Sequence, residues 1–517
     1  MKKILCLWMT VGLLVTGCQQ DLDVVNPNAP TTDLFWKNAT DAQQGVNAIY
    51  STLHRGPIVL WQWFYYTVRS DEAFSQSPRT DIPNNMDKFL ITNYNFGETN
   101  WIYGDNYIGI FRANQVLDNV PNIQMDEALK SRLMGEAKFF RGFFYYNLAS
   151  LYGNVPLILA TSKPTDLPAN ATRQEVWAQV VKDLTEASGV LPTKYSGTDV
   201  GRITKGAAYA LLAKAYLQQR QYDQALTPLQ WLVEGEGKDI YSLMPNYRDN
   251  FLSTTENNAE SVFEWQFATN PSEFTDNDVQ TPNQNYGSPL AQFVAPLNVG
   301  FSDAEMQRWV VNEFHQDKTT AGERDPRLAA SLLYDSTDVR GPEFTQIYGQ
   351  TFAQRYGTTG NNRGRVWLRK FQNDAEPGRA NEGFRSANNY RFIRYSDVLL
   401  LYAETLNELN RTAEAYPYVD RVRQRAGLPA LTQAKPGLDQ TQFRAQIMHE
   451  RVTELAGEGH RWNDLDRWGY FESQEKINEL AQRDPAFTTF IVGRHRLLPL
   501  PQRDVDINPN LQQNPNY

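Results

Sequence analysis

Cysteine is almost missing from this chain: 517 residues contain two, Cys6 and Cys18. No disulfide framework can be built on that, so the fold must rest on packing, hydrogen bonds and charge. Histidine is scarce too, with His54, His315, His449, His460 and His495 scattered along the sequence. His449-Glu450 lacks the second histidine of a metalloprotease helix, and Asp276-Asn277-Asp278 lacks the glycine and closing glutamate of a calcium loop. No Gly-rich phosphate loop or Gly-x-Ser-x-Gly elbow is present. The sequence therefore predicts neither metal nor cofactor. Positive charge is also short: 50 Lys and Arg against 59 Asp and Glu leave −9 at pH 7. Without a basic field to displace phosphate counterions, nucleic acid is excluded as a partner class, while sugars and proteins stay open. Beyond the first fifteen residues no apolar run approaches the eighteen of a membrane-spanning helix. At 41% hydrophobic and 21% charged the chain reads as globular.

The first residues have their own logic. Lys2 and Lys3 precede an apolar run from Ile4 to Val15 broken only by Thr10 and Gly12, the pattern of a signal peptide. Leu14-Val15-Thr16-Gly17-Cys18 resembles the lipobox of bacterial lipoproteins, in which the peptide is cut before the cysteine and the thiol carries diacylglycerol. Residues 1–17 are then a lipoprotein signal, Cys18 is the lipidation site, and 18–38 form a polar tether. Several acyl chains hold a protein stably where one is marginal.

From Thr40 the pattern is helical. Thr40 with Gln43 suits a capping box, and Val46, Ile49, Tyr50 and Leu53 repeat at three and four. Tyr107, Ile110, Phe111, Asn114 and Leu117 form a second stripe. A helix over about 126–152 carries Phe140, Phe144, Leu148 and Leu151 on one face and Phe139, Phe143 and Tyr146 on another, so it should lie buried between layers. Near 207–233, Leu212, Ala213, Tyr216, Tyr222 and Ala225 fall at tetratricopeptide spacing. Near 396–426, Tyr402, Ala403, Leu406 and Ala415 keep the same offsets, although Pro417 should delay or kink the second helix of that unit.

Trp101-Ile102-Tyr103, Ile110 to Asn114, Glu136 to Leu157 and Asp325 to Leu328 come in an order that resembles the SusD/RagB family of outer-membrane nutrient-binding lipoproteins. Trp101-Ile102-Tyr103 before Ile110-Phe111-Arg112-Ala113-Asn114 is similar to the family's early helix, and Glu136-Ala137-Lys138-Phe139-Phe140-Arg141 through Tyr152-Gly153-Asn154-Val155-Pro156-Leu157 to its long buried helix and turn. Asp325-Pro326-Arg327-Leu328, Tyr395 to Glu404, Arg423 to Pro429, Glu450 to Leu465, Leu498-Pro499-Leu500-Pro501 and Asn514-Pro515-Asn516-Tyr517 continue the series. The resemblance implies a mainly all-α fold: tetratricopeptide-like helix pairs packed into one domain over 39–517, with long irregular ligand-binding loops. It also implies a non-catalytic cell-surface protein that binds oligo- or polysaccharide and passes it to a TonB-dependent, SusC-like outer-membrane transporter. Two other readings remain open, a peptide- or protein-binding tetratricopeptide scaffold and a lipid-anchored glycoside hydrolase.

A hydrolase needs two carboxylates about 5–9 Å apart in a groove. Glu450, Glu454 and Glu458, four apart on an expected helix from Glu450 to Trp468 beside Arg451, His460 and Arg461, are the tempting set, but such spacing is better suited to ion pairs. A sugar site needs an exposed aromatic platform flanked by polar forks. Long aperiodic segments are where to look, and 58–100, 270–301 and 335–367 qualify. Trp61, Trp63, Tyr65 and Tyr66 sit in so apolar a run that they are assigned to the core. The platform candidates are Tyr286 with Tyr348 or Tyr356, with Asp71, Arg79, Asn283 and Arg365 supplying hydrogen bonds. For each tyrosine the alternative is a ring that pins its loop to the scaffold.

Overall fold

The computed structural model describes residues 35–91, 94–269, 286–335, 346–357, 360–374 and 383–517. Cys18 and Asn283 lie outside them. Helices α1 (Ala39–Tyr50), α2 (Gly97–Asn119), α3 (Glu127–Leu151), α4 (Arg173–Val190), α5 (Lys205–Gln218) and α6 (Tyr222–Val233) form the first part of the scaffold. Helices α7 (Arg308–Phe314), α8 (Tyr395–Glu408), α9 (Thr412–Arg425), α10 (Gln440–Leu455) and α11 (Arg461–Arg467) follow. From α2 to α6 each helix packs on the next, α6 then packs on α8, and α8 on α9 and α10. The fold is mainly helical, as expected.

Helix α3 is the centre of the stack. Asp126 caps it by accepting from Leu129 N at 2.8 Å, and Gly153 ends it in a left-handed turn at φ +77°. Phe139, Phe140, Phe143, Phe144 and Tyr145 are fully buried, because both faces meet other layers. Gly109 of α2 admits the Phe144 ring: a Cβ there would lie 2.2 Å from it. Trp61, Trp63, Tyr65 and Tyr66 are core residues as read. The stripe on α2 is partly misplaced, since Ile110 and Asn114 point inward but Phe111 is exposed.

The two tetratricopeptide-like units are α5–α6 and α8–α9, with Ala213, Ala225, Ala403 and Ala415 all fully buried where the helices approach. Pro417 neither delays nor breaks α9, which starts three residues before Ala415 just as α6 starts three before Ala225. The bond that Pro417 forfeits would go to Ala413, and both residues are exposed, so water can serve the freed carbonyl. At α1 the capping box is formed by Asn38 and Asp41, not Thr40 and Gln43: Asn38 Oδ1 accepts from Asp41 N, and Asp41 Oδ2 from Asn38 N. The helix expected from Glu450 to Trp468 is two helices. Gly457 and Gly459, at φ +76° and +81°, turn the chain between α10 and α11.

Short antiparallel ladders tie the loops down. Strand β1 (Ala73–Ser75) pairs with β3 (Ala304–Met306), placing Phe74 opposite Glu305. Strand β2 (Ser261–Trp265) pairs with β6 (Tyr390–Arg394), and β4 (Leu332–Tyr334) with β5 (Val366–Leu368).

Candidate functional site

Glu450, Glu454 and Glu458, the acids that suggested catalysis, are spent on ion pairs. Arg394 binds Glu458 through Nε–Oε2 at 2.7 Å and Nη2–Oε1 at 2.8 Å, and its Nη1 reaches Glu260 and Glu454. Arg327 and Arg425 also pair with Glu454, Lys370 with Glu458, and Asp325 with Arg327. Four cations face four anions, nearly all without exposure, and the net charge is zero. Burial pushes the Glu454 carboxyl up, but Arg425, Arg394 and Arg327 outweigh it and hold the group well below the carboxylate range. Removing any partner would strand a buried charge, so the arrangement acts as a structural staple.

Asp317, His449 and Glu450 form the group among the described residues that could hold a metal ion. His449 Nδ1 lies 2.8 Å from Glu313 Oε1 and its Nε2 2.9 Å from Asp317 Oδ2. Both partners are carboxylates, so both ring nitrogens carry protons and neither has a lone pair for a metal. Arg423 closes the cluster, with Nη1 2.9 Å from Asp317 and 2.5 Å from Glu450.

The loops offer more. Ser302, at φ +57°, accepts from Trp367 Nε1 at 2.8 Å and from Arg365 Nη2 at 2.9 Å. Arg365 also pairs with Glu305 and lies over the Trp367 ring at 5.3 Å. Tyr356 packs on Trp367 with centroids 5.0 Å apart and donates its hydroxyl to Leu297 O at 3.0 Å. Tyr348 packs on the same small cluster and donates to Gln372 Oε1 at 2.6 Å. The structure thus brings Tyr348, Tyr356 and Arg365 together, but as the underside of the loop region. Tyr356 is only 8% exposed, so it pins its loop and offers no platform. Asn298, Ser302 and Tyr348 all hold positive φ here, a concentration of strained backbone of the kind found at binding loops.

Asp71 is placed quite differently from its expected role. It is fully buried, with Arg461 on both oxygens and Arg483 Nη1 3.2 Å away, and these cations hold its pKa down against burial. With no exposed surface it is closed to a ligand. Arg79 is half-exposed and paired with Asp81 at 2.9 Å and Glu98 at 2.8 Å.

Tyr286 is 45% exposed, and its carbonyl accepts from Ala268 N at 2.7 Å. Phe301, which the sequence reasoning passed over at the end of the segment 270–301, is 44% exposed. Its ring leans edge-on against Phe293 at 5.2 Å and against Phe384 at 6.1 Å, while Gly287, next to Tyr286, lies against the Phe384 backbone. Asp303 follows two residues after Phe301. Its backbone is locked by Ser75 Oγ and Gln76 N, its carboxyl is pushed up by burial, and no donor among the described residues reaches Oδ1. The only sequence signal for Phe301 is its place in the segment 270–301; its exposure depends on packing against Phe293 and Phe384.

A sequence model of the SusD family matches residues 233–517, more than half of the chain. The chain belongs to the SusD family. A second SusD-like model, described as starch-binding and associating with the outer membrane, matches residues 64–217. Among curated relatives, SusD-like protein P2 of Formosa agariphila is 27% identical over the full length of both chains, and SusD-like protein P25 of the same organism is 26% identical over 93% of this chain and 92% of its own. A laminarin-binding SusD-like protein of known structure is 27% identical, with a TM-score of 0.75 over 93% of this chain and all of that one. A SusD superfamily protein from Bacteroides vulgatus shares the fold at a TM-score of 0.78, with 24% identity.

Proposed function

We propose that the chain is a non-catalytic, surface-exposed glycan-binding lipoprotein, anchored through Cys18, that captures an oligo- or polysaccharide and delivers it to a TonB-dependent outer-membrane transporter. The observation that carries this reading is the pair of exposed rings, Tyr286 and Phe301, at the two ends of one loop segment, with the half-exposed Arg79 guanidinium acting on Asp303 two residues after Phe301. Apolar sugar faces stack on such rings, and hydroxyls bond to the guanidinium. The laminarin-binding relative supports the ligand class. The buried pairing of Glu450, Glu454 and Glu458 speaks against the hydrolase reading. The test is native affinity electrophoresis of residues 19–517 through gels containing starch, laminarin, fructan, xylan, mannan or pectin, with released reducing sugar assayed in parallel. Retardation by a polymer without sugar release is expected. Sugar release would establish a hydrolase, and no retardation in any gel would favour a peptide or protein ligand.

A further inference from the structure

Away from the loop rings, a cavity of about 380 Å³ opens between the 191–204 connection, which joins α4 to α5, and the segment 240–264, which leads from α6 into β2. That volume is in the range of small-molecule sites. One wall is apolar: Val200, left 48% exposed, with Ile203 and Ile240. The charges at its base are already spent. Arg202 pairs with Glu136 at 2.9 Å and Asp199 at 2.8 Å, and Glu264 accepts from Asn257 N and Asn389 Nδ2. What remains uncommitted is the Lys194 ammonium, the Ser261 hydroxyl and the buried Tyr195 hydroxyl, which has no partner among the described residues.

The rim is held in shape. Asn257, at φ +51°, exchanges two amide hydrogen bonds with Gln266 at 2.8 and 3.0 Å, and Gly201, at φ +93°, is required where a Cβ would strike Gln266. An apolar wall facing hydroxyls and one ammonium, with no unpaired acid, is complementary to a pyranose, whose C–H face is apolar and whose edge is hydroxylated. A charged peptide would find no partner for its acids beyond Lys194. Ser261 on the cavity wall and Ala268, which bonds to Tyr286, are seven residues apart, at most about 25 Å of extended chain. One polysaccharide chain can reach both places.

We propose that this cavity is a second saccharide-binding site, taking one or two pyranose units of a polymer that also engages the Tyr286 and Phe301 rings. The proposal rests on the reading of the chain as a saccharide-binding protein. A polymer held at two points gains avidity that neither site has alone.

The test is hydrogen exchange of residues 19–517 with laminarihexaose, maltohexaose and xylohexaose as probes, compared with Val200→Trp, which fills the cavity from its exposed rim. With at least one probe, protection is expected over 193–207 and 257–264 as well as 286–303, and Val200→Trp should remove the first two and keep the third. Tyr195→Phe should weaken the cavity site about fivefold, the worth of one hydrogen bond. Protection confined to 286–303, or cavity protection that survives Val200→Trp, overturns the proposal alone. No protection anywhere with any probe overturns it together with the loop-site reading.

Discussion

Arg461 grips Asp71 in a bidentate pair along one edge of its guanidinium, Nε to Oδ1 at 2.6 Å and Nη2 to Oδ2 at 2.8 Å, across 390 residues of chain. Both side chains are buried, and the pair staples the start of the first long loop to α11. Asp71→Ala leaves the Arg461 cation in the interior with only part of its compensation. Urea unfolding should show a loss of about 3–5 kcal/mol. Polysaccharide retention of the protein that remains folded should be unchanged, whereas lost retention at full stability would return Asp71 to the binding site.

The His449 cluster makes stability depend on pH. Burial lowers the imidazole, but the bonds to Asp317 and Glu313 outweigh it and hold it at about 9, against an ordinary 6.5. A cation favoured by the fold contributes fully below pH 6.5, and its contribution is lost as pH rises through about 9. Asp484, pushed up to about 7 by burial with Asp71 adding to the shift, acts in the same direction at lower pH: the fold favours its protonated form and loses that advantage as pH rises from 3.8 to 7. Melting temperature should therefore fall between pH 6.5 and 9, by an amount on the order of 2 kcal/mol in stability. In His449→Gln that slope should be shallower, and nearly flat above pH 8, where Glu72, raised to about 8 by burial, has already lost its advantage. A wild-type profile flat over this window would show a neutral imidazole.

Gly109→Ala tests the packing of α2 on α3. The added methyl meets the Phe144 ring in a fully packed core, so the ring or the helices must shift. A loss of about 1–3 kcal/mol is expected in the same unfolding assay, despite the better helix propensity of alanine. A stabilised variant would mean that the two helices have room to spare.

Tyr356 separates support from contact. Tyr356→Phe removes the hydroxyl bond to Leu297 and should cost about 1 kcal/mol with glycan retention intact. Tyr356→Ala removes the ring that packs on Trp367 and should destabilise the loop region by about 3–5 kcal/mol. Retention lost in Tyr356→Phe at normal stability would make this tyrosine a direct ligand.

Local pattern revealed the helices best. Helix α3 was legible because two aromatic faces, an N-terminal aspartate and a terminal glycine all agree, and the α5–α6 and α8–α9 units because small alanines recur at fixed offsets. The ladders β1–β3 and β4–β5 were not, since three-residue strands are too short to show an alternating period. Asp71 read as a loop acid because its partner lies 390 residues away, beyond any local signal. Tyr348, Tyr356 and Arg365 were placed in the right region, but which ring faces outward depends on how Trp367, Phe293 and Phe384 pack beneath the loops. Pro417 misled because its cost depends on whether the freed carbonyl meets solvent.

The most direct measurement of the central claim is the mobility of wild type, Tyr286→Ala, Phe301→Ala and the double variant in a gel carrying the polymer that retards the wild type most. Both rings are exposed, so none of these changes should disturb the fold. Stacking at the two rings predicts weakened retention in each single variant and near-free migration of the double variant, with unchanged helical circular dichroism. Wild-type retardation in the double variant would contradict the account and place the glycan elsewhere on the molecule.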